Sequence, residues 1–417
     1  MLFGSSGIRR PFGPELLDIG LKAGFAAGND VDNIVVGTDT RKTGPALSDA
    51  FIAGALFSGA GVVSCGIAPT PTIANAINYC CAGAGCSVTA SHNPENYNGI
   101  KLINPDGSAF TKKQQAEIED KIKSCKNSGW ENQGEVRQTD IIRPHIENIL
   151  KNVDIGEASV LLDCGGGAGS VITPLLLKEA GVSVGCINCT PSGVFPRPSE
   201  PLEENVHYLK NMVRDGKFSG GLIHDGDADR FMAIDGRGRY IKGDHLLVLF
   251  AEYAGAKKVV TTADASMAIE ESAEVRRTPV GDSYVSEELL SWGDFGGEPS
   301  GSWIFPKNSL CPDGIYAAAL FCRIASETDI AEAIDELPDY PILRSSYFCE
   351  NGRDVLTALG AENPTDGIRI EDEDGWCLIR ASGTEPKVRI TAEGRSMDTA
   401  KKMRERGLGL LKSVSKK

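Results

Sequence analysis

The sequence predicts an α/β protein built of three related layered domains, followed by a smaller region of different style. Three observations predict it. Apolar strand starts followed by glycine turns and helices recur at Ile34-Val35-Val36, Val160-Leu161-Leu162 and Val259-Val260-Thr261, roughly one hundred residues apart, and each reads as the opening of a βα unit. Loops rich in polar and charged side chains follow such strands, where α/β sheets collect their ligands. From about residue 340 the pattern shifts to alternating segments, Asp366 to Ile370 and Trp376 to Ile379, which read as hairpin strands.

Composition sets the outer limits. The chain has 417 residues, enough for several domains at ~100–200 residues each. Hydrophobic content of 41% and charged content of 24% are those of an ordinary globular protein. A net charge of −14 argues against a nucleic-acid or anionic membrane partner. An acidic ligand would therefore need Arg and Lys gathered into one cleft. No apolar run approaches the ~20 residues of a membrane helix. Met1-Leu2-Phe3 passes directly into Gly and Ser, with no charged start and apolar core, so no signal peptide is expected. The 12 cysteines are scattered, and Cys186-Ile187-Asn188-Cys189 has no second pair. Reduced structural thiols in the cytoplasm are the expectation, rather than zinc.

Taken in order, Phe3 to Arg10 reads as a flexible arm of small residues ending in arginine. The first strand leads to Gly37-Thr38-Asp39-Thr40-Arg41 and a helix over residues 44–60. Arg41 reads equally as a surface or a ligand-binding arginine. Pro69-Thr70-Pro71-Thr72 reads as a rigid turn feeding the next helix. Then comes Thr89-Ala90-Ser91-His92-Asn93-Pro94. Pro94 lacks an N–H and biases Asn93 away from helix, so Ser91 falls on a tight loop open to a cleft. His92 could hydrogen-bond a phosphoryl oxygen or act as a base, and Lys101 could return to the same cleft on the next strand. Alone, the stretch reads as well as an Asn-Pro turn. Residues 112–126 read as a charged helix and 127–135 as a loop.

In the second unit the strand through Asp163 is followed by Gly165-Gly166-Gly167 and a helix to Ala180. The spacing is not that of a dinucleotide fingerprint, and a tight turn for helix packing is the better reading. Phe195-Pro196-Arg197-Pro198 reads as a stiff connector. The strand Gly221-Leu222-Ile223 then opens onto Asp225-Gly226-Asp227-Ala228-Asp229-Arg230. Three carboxylates around one point repel unless a cation sits between them, and hard oxygen ligands suit Mg²⁺. An EF-hand fails on spacing, because Arg230 stands where its Gly belongs and Gly236 where its Glu belongs. Arg230, directly after the carboxylates, points to a site that also holds phosphate.

In the third unit a helix is expected from about Ser266, then the loop Thr278-Pro279-Val280-Gly281-Asp282. Gly297-Glu298-Pro299-Ser300-Gly301 puts a carboxylate and a hydroxyl on one loop. The pair suits two neighbouring sugar hydroxyls, and a plain turn is the alternative. Asp313-Gly314 opens a further helix. Near the end, Arg380-Ala381-Ser382-Gly383-Thr384-Glu385-Pro386-Lys387 offers backbone N–H groups, two hydroxyls and an arginine, together an anion nest or else a surface turn. The last helix, about residues 398–413, reads as basic and solvated.

The serine loop, the aspartate loop, Gly297 to Gly301 and Arg380 to Pro386 together resemble, in order and over essentially the whole chain, the α-D-phosphohexomutases. That superfamily includes phosphoglucomutase, phosphomannomutase and phosphoglucosamine mutase. The resemblance implies three related α/β domains plus a C-terminal α+β domain around a central cleft. We place these at 1–145 with the serine loop, 146–243 with the metal loop, 244–338 with the sugar loop and 339–417 with the phosphate loop. It implies a phosphoserine at Ser91, Mg²⁺ on Ser91, Asp225, Asp227 and Asp229, and a hexose 1,6-bisphosphate activator. Lys101 and Arg9 match the acid/base positions, with Lys101 serving if its pKa is depressed near the metal. His92, Asn93 and Arg230 would orient phosphoryl oxygens, with Ser6 within reach of the phosphate. Glu298 and Ser300 would bind sugar hydroxyls. Arg380, Ser382, Gly383, Thr384 and Arg389 would hold the non-reacting phosphate, with Arg41 and Asp282 in support.

Two positions depart from the family. Ser283 stands where many members carry a basic residue, and Ser302 where several carry His. The implied reaction interconverts hexose 6-phosphate and hexose 1-phosphate. Thr-Ala-Ser-His-Asn-Pro and Ser-Gly-Thr-Glu-Pro-Lys resemble the phosphoglucosamine mutase branch. A phosphomannomutase or phosphoglucomutase of relaxed specificity is the alternative, and a phosphosugar-binding protein or phosphatase the remote one. A phosphosugar is the expected partner, and the chain is expected as a monomer or homodimer.

Overall fold

The computed structural model describes residues 2–4, 7–123, 129–361, 364, 366–381 and 386–415. The first unit is a six-stranded sheet in the order Ile8–Pro11, Tyr97–Ile103, Ala84–Val88, Asn33–Thr38, Gly61–Ile67 and Val136–Gln138. Asn33–Thr38 pairs parallel with Ala84–Val88 and Gly61–Ile67. Ala84–Val88 is buried throughout, which is why it reads as an unbroken run of small and apolar residues rather than an alternation. On one face the helices Pro14–Gly28 and Gly44–Ser58 cross closely. A Cβ on Gly24 would lie 1.9 Å from Phe51 O, and one on Gly54 would lie 1.9 Å from Leu21 O. Glycine is what permits that approach.

The second sheet runs Phe231–Asp235, Gly220–His224, Ser159–Asp163 and Ser183–Ile187. The third runs Glu274–Thr278, Lys258–Thr262, Phe295–Glu298 and Ser302–Ile304. One core spans both, with Phe231, Phe250, Trp303 and Phe321 at its centre. Trp303 Nε1 donates to Phe231 O at 2.8 Å, so the large ring is buried without an unpaired donor. The fourth sheet is antiparallel throughout, in the order Ile342–Phe348, Lys387–Gly394, Gly375–Ala381 and Ile368–Asp372. The chain is thus three mixed α/β units and a smaller antiparallel unit.

Several local expectations are corrected. The N-terminal arm is a strand from Ile8 to Pro11, paired antiparallel with Tyr97–Ile103. Edge pairing satisfies its backbone groups, which a free arm would leave to water. Pro69-Thr70-Pro71-Thr72 is not a separate turn. The helix starts at Thr70, with Pro71 in its first turn, where the missing N–H costs nothing. The helix expected from Ser266 is a 3₁₀ turn, Met267–Glu271, capped by the Ser266 hydroxyl. The loop over 127–135 contains a short 3₁₀ turn, Trp130–Asn132. The last helix, Met397–Ser415, is not wholly solvated: it buries Ala400, Met403 and Leu411. Its apolar stripe packs on the fourth sheet.

Candidate active site

The loop after Ala84–Val88 holds Ser91 at a φ of 50°, in the left-handed region. The turn places the Ser91 hydroxyl at the seam with the second sheet, where it donates to Asp225 Oδ2 at 2.8 Å. The His92 ring meets the same hydroxyl at 3.4 Å. Asp225 follows Gly220–His224 directly, and its loop is tight enough to hold Ala228 at a φ of 53°. The two loops touch: a Cβ on Gly226 would sit 2.7 Å from Ser91 O.

Asp225, Asp227 and Asp229 are all buried, and one carboxylate oxygen from each lies within 4.8 Å of the others. Lys101, on the strand Tyr97–Ile103, donates to Asp227 Oδ2 at 2.7 Å and to Asp229 Oδ2 at 2.5 Å. Thr70, at the start of its helix, adds a 2.5 Å bond to Asp227 Oδ2. Asp227 Oδ1 and Asp229 Oδ1 are buried with no partner among the described residues. Arg230 is drawn off toward Glu200, at 3.2 Å. Three carboxylates thus face one ammonium, with two orphaned oxygens. The all-oxygen, negatively charged donor set fits Mg²⁺.

The ionisation of the site follows from burial and crowding. Burial pushes Asp225 and Asp229 up, and the neighbouring aspartates add to it. Asp227 is held below the usual range: burial works upward, and Lys101 overrides it. Burial also works to lower Lys101, yet Asp227 and Asp229 carry it above its ordinary value. In the metal-free site the carboxylates therefore keep the Lys101 ammonium charged. His92 falls to about 2, from burial first and then from Arg230, Arg9 and Lys101. It stands as a neutral imidazole among cations, a poor base and a good hydrogen-bonding group.

Arg9 lies on Ile8–Pro11, opposite Gly99, and its Nη1 donates to Asn93 Oδ1 at 3.5 Å. The structure so brings together Ser91, His92, Asn93, Lys101, Arg9, the three aspartates and Arg230. Arg41 is buried behind the serine loop rather than in the cleft. Glu298 is buried at the end of its strand, where Oε1 accepts from Gly281 N at 2.8 Å and the Ser300 hydroxyl approaches Oε2 at 3.4 Å. That bond brings Asp282, the first residue of Asp282–Leu289, beside the sugar loop. Burial, with Asp282 adding, pushes Glu298 up to about 8, against the pull of Arg230. Ser302 makes a backbone bridge to Arg230, tying the third unit to the aspartate loop.

Arg380 and Arg389 stand directly opposite each other on neighbouring strands of the fourth sheet. Ser6, Ser382, Gly383 and Thr384 lie outside the described residues. Sequence reasoning missed Thr70, Glu200, Asp39 and Thr89. The signal for Thr70 was its place at a proline-marked helix start.

Comparison with known proteins agrees with this arrangement. Four models of phosphoglucomutase/phosphomannomutase match the chain in order: α/β/α domain I over residues 1–128, domain II over 143–238, domain III over 242–340 and the C-terminal domain over 348–408. The "Probable phosphoglucosamine mutase" of Methanocella arvoryzae is 44% identical over 431 residues, covering 99% of this chain and 98% of that protein. A crystal structure of a phosphoglucomutase/phosphomannomutase family protein from Burkholderia thailandensis superposes with a TM-score of 0.87 at 25% identity, over 99% of this chain and 97% of that one. Aspergillus fumigatus N-acetylphosphoglucosamine mutase, solved with GlcNAc-6P and magnesium, shares the fold at a TM-score of 0.60 and 16% identity, over 99% of this chain and 96% of that one.

Proposed function

The chain belongs to the phosphoglucomutase/phosphomannomutase family, and from that premise we propose that it interconverts glucosamine 6-phosphate and glucosamine 1-phosphate through a phosphoserine at Ser91. The observation that carries the reading is the Ser91 hydroxyl, 2.8 Å from Asp225 in a buried trio of carboxylates faced by Lys101. The amino sugar is favoured by the name of the Methanocella relative, which aligns along nearly all of both chains. The boundaries 1–145, 146–243, 244–338 and 339–417 give each unit one loop of the cleft. The free cysteines suit a reducing cytoplasm, and a monomer or homodimer is expected.

In this mechanism Ser91 carries a phosphoryl group in the resting enzyme. A hydroxyl of the bound sugar monophosphate attacks it, the P–O bond to Ser91 breaks, and a hexose 1,6-bisphosphate results. The bisphosphate turns over in the cleft, and its other phosphoryl group returns to Ser91. Asp225, Asp227 and Asp229, with a Ser91 oxygen, would hold Mg²⁺, which neutralises charge on the transferred group. Lys101 borders that group; with the aspartate charge taken up by the metal it would lose what keeps it an ammonium, and the free amine could take the proton of the attacking sugar hydroxyl. Arg9 supplies charge, since a guanidinium is a poor proton carrier. His92 and Asn93 orient phosphoryl oxygens, and Arg230 balances the aspartates beside them. Glu298 and Ser300 bind the sugar hydroxyls, with Asp282 beside them. Arg380, Ser382, Gly383, Thr384 and Arg389 hold the phosphate that is not reacting.

Phosphorus NMR tests the reading. The protein is supplied with Mg²⁺, a trace of hexose 1,6-bisphosphate and, in separate tubes, glucosamine 6-phosphate, mannose 1-phosphate and glucose 1-phosphate. Fastest interconversion of the glucosamine phosphates, absent in Ser91→Ala, is expected. Faster turnover of the unaminated sugars would assign relaxed specificity instead, and release of inorganic phosphate alone would mark a phosphatase.

A further inference from the structure

We infer that Arg41, braced by Asp39 and Thr89, is a positioning residue that locks the Ser91 loop in its reactive shape; the inference rests on the phosphoserine reading of Ser91. A guanidinium has five N–H donors, and in Arg41 each has an acceptor. Nε donates to Asp39 Oδ2 at 2.9 Å. Nη1 donates to Pro94 O at 2.6 Å and Tyr97 O at 3.0 Å. Nη2 donates to Ser91 O at 2.8 Å and Asn93 O at 2.7 Å. Four of the five acceptors are backbone carbonyls of the serine loop and the first residue of the strand that follows it.

The brace continues to the other side of Ser91. Asp39 Oδ2 also accepts from the Thr89 hydroxyl at 2.6 Å, and that hydroxyl oxygen accepts from Ser91 N at 2.8 Å. The N–H and the C=O of Ser91 are thus held by one connected set of side chains. Ser91 needs this, because its left-handed φ of 50° is costly for a residue with a Cβ and persists only where the surroundings over-determine it. Released from that conformation, the hydroxyl would swing away from Asp225.

Arg41 also sits on a seam. The Phe195 ring lies over its guanidinium at 5.1 Å, and the neighbouring Thr40 hydroxyl donates to Gly166 O at 2.8 Å. Both partners belong to the second unit, which carries the aspartate loop. The brace therefore registers the serine loop against the carboxylates it must meet. Lysine cannot replace it: a point charge with three donors does not span the carbonyls of residues 91, 93, 94 and 97.

The test uses the full chain and two variants, Arg41→Lys and Thr89→Val. Amide hydrogen exchange is read over residues 89–99 and over the strand Asn33–Thr38, beside kcat and KM for glucosamine 6-phosphate. We expect faster exchange confined to 89–99. For Arg41→Lys, kcat should fall about 100-fold, as misplacement of a reacting group does, while KM stays within about threefold. A residue that merely supports folding would raise exchange across the whole sheet and lower Tm instead. Exchange over 89–99 and kcat both at wild-type values would overturn the inference. If Arg41→Lys does not fold, the near-isosteric Thr89→Val carries the same readouts. Wild-type protein that never phosphorylates Ser91 would defeat the phosphoserine reading, while loop exchange would still report on the brace.

Discussion

Lys101 is the counter-cation of the metal-free site. Its two short bonds to Asp227 and Asp229 leave one charge against three buried carboxylates. Removing one partner of a buried ion pair costs about 3–5 kcal/mol, because the remaining charge is left unpaired. Lys101→Met should accordingly lower the unfolding free energy in chelator by about 3 kcal/mol. Mg²⁺ should restore part of that loss and raise the Tm of the wild type. A variant as stable as wild type in chelator would contradict this balance of charge.

Glu298 offers a pH test at the same scale. Its folded value of about 8 lies above the ordinary glutamate range near 4.3. A raised acid contributes stability that is complete below about pH 4 and is lost as pH rises through about 8. Thermal scans from pH 6 to pH 9 should show a smaller fall in Tm for Glu298→Gln than for wild type. At this scale, Ser91 and the three aspartates were legible because each loop is a compact motif of its own, although the two loops meet across 134 positions. Thr70 was not, since it meets Asp227 across 157 positions. The ionisation of Lys101 in the metal-free site was not legible either: its partners are distant in sequence, and their charge outweighs burial.

At the scale of elements, the fourth sheet sets Arg380 and Arg389 opposite each other on neighbouring strands. Arg380 and Arg389 are thus brought to one face of the sheet, where a phosphate could take charge-assisted hydrogen bonds from both. Arg389→Leu should raise KM for the phosphosugar about tenfold, the worth of one charge-assisted hydrogen bond, with kcat little changed. An unchanged KM would remove Arg389 from the phosphate site. Periodicity made the long strands and helices legible, because their burial pattern is written along them. It failed where a short segment depends on its neighbours. The N-terminal arm became a strand only because Tyr97–Ile103 offered an edge. The helix expected near Ser266 shrank to a 3₁₀ turn, Met267–Glu271, docked on Trp376 of the fourth sheet.

At the scale of the molecule, seams between the units hold the serine, aspartate and sugar loops in register. Thr70 of the first unit bonds Asp227 of the second, and Arg230 of the second bridges Ser302 of the third. Gly314 N, opening a helix of the third unit, donates to Ala228 O within the aspartate loop at 3.2 Å. The fourth unit meets the third where Met267 N donates to Glu393 Oε2 at 2.8 Å and Arg369 Nη1 donates to Ala263 O at 2.5 Å. The threefold repeat of the fold was legible from the sequence, but these seams were not, because each joins residues with no local pattern to announce them. The central claim is that one phosphoryl group travels by way of Ser91. The most direct measurement charges the protein with ³²P-labelled hexose 1,6-bisphosphate, maps the labelled peptide, and then adds unlabelled glucosamine 6-phosphate. The account predicts label on Ser91, none in Ser91→Ala, and transfer of that label to the sugar phosphate in the chase. Label on another residue, or label leaving only as inorganic phosphate, would contradict it.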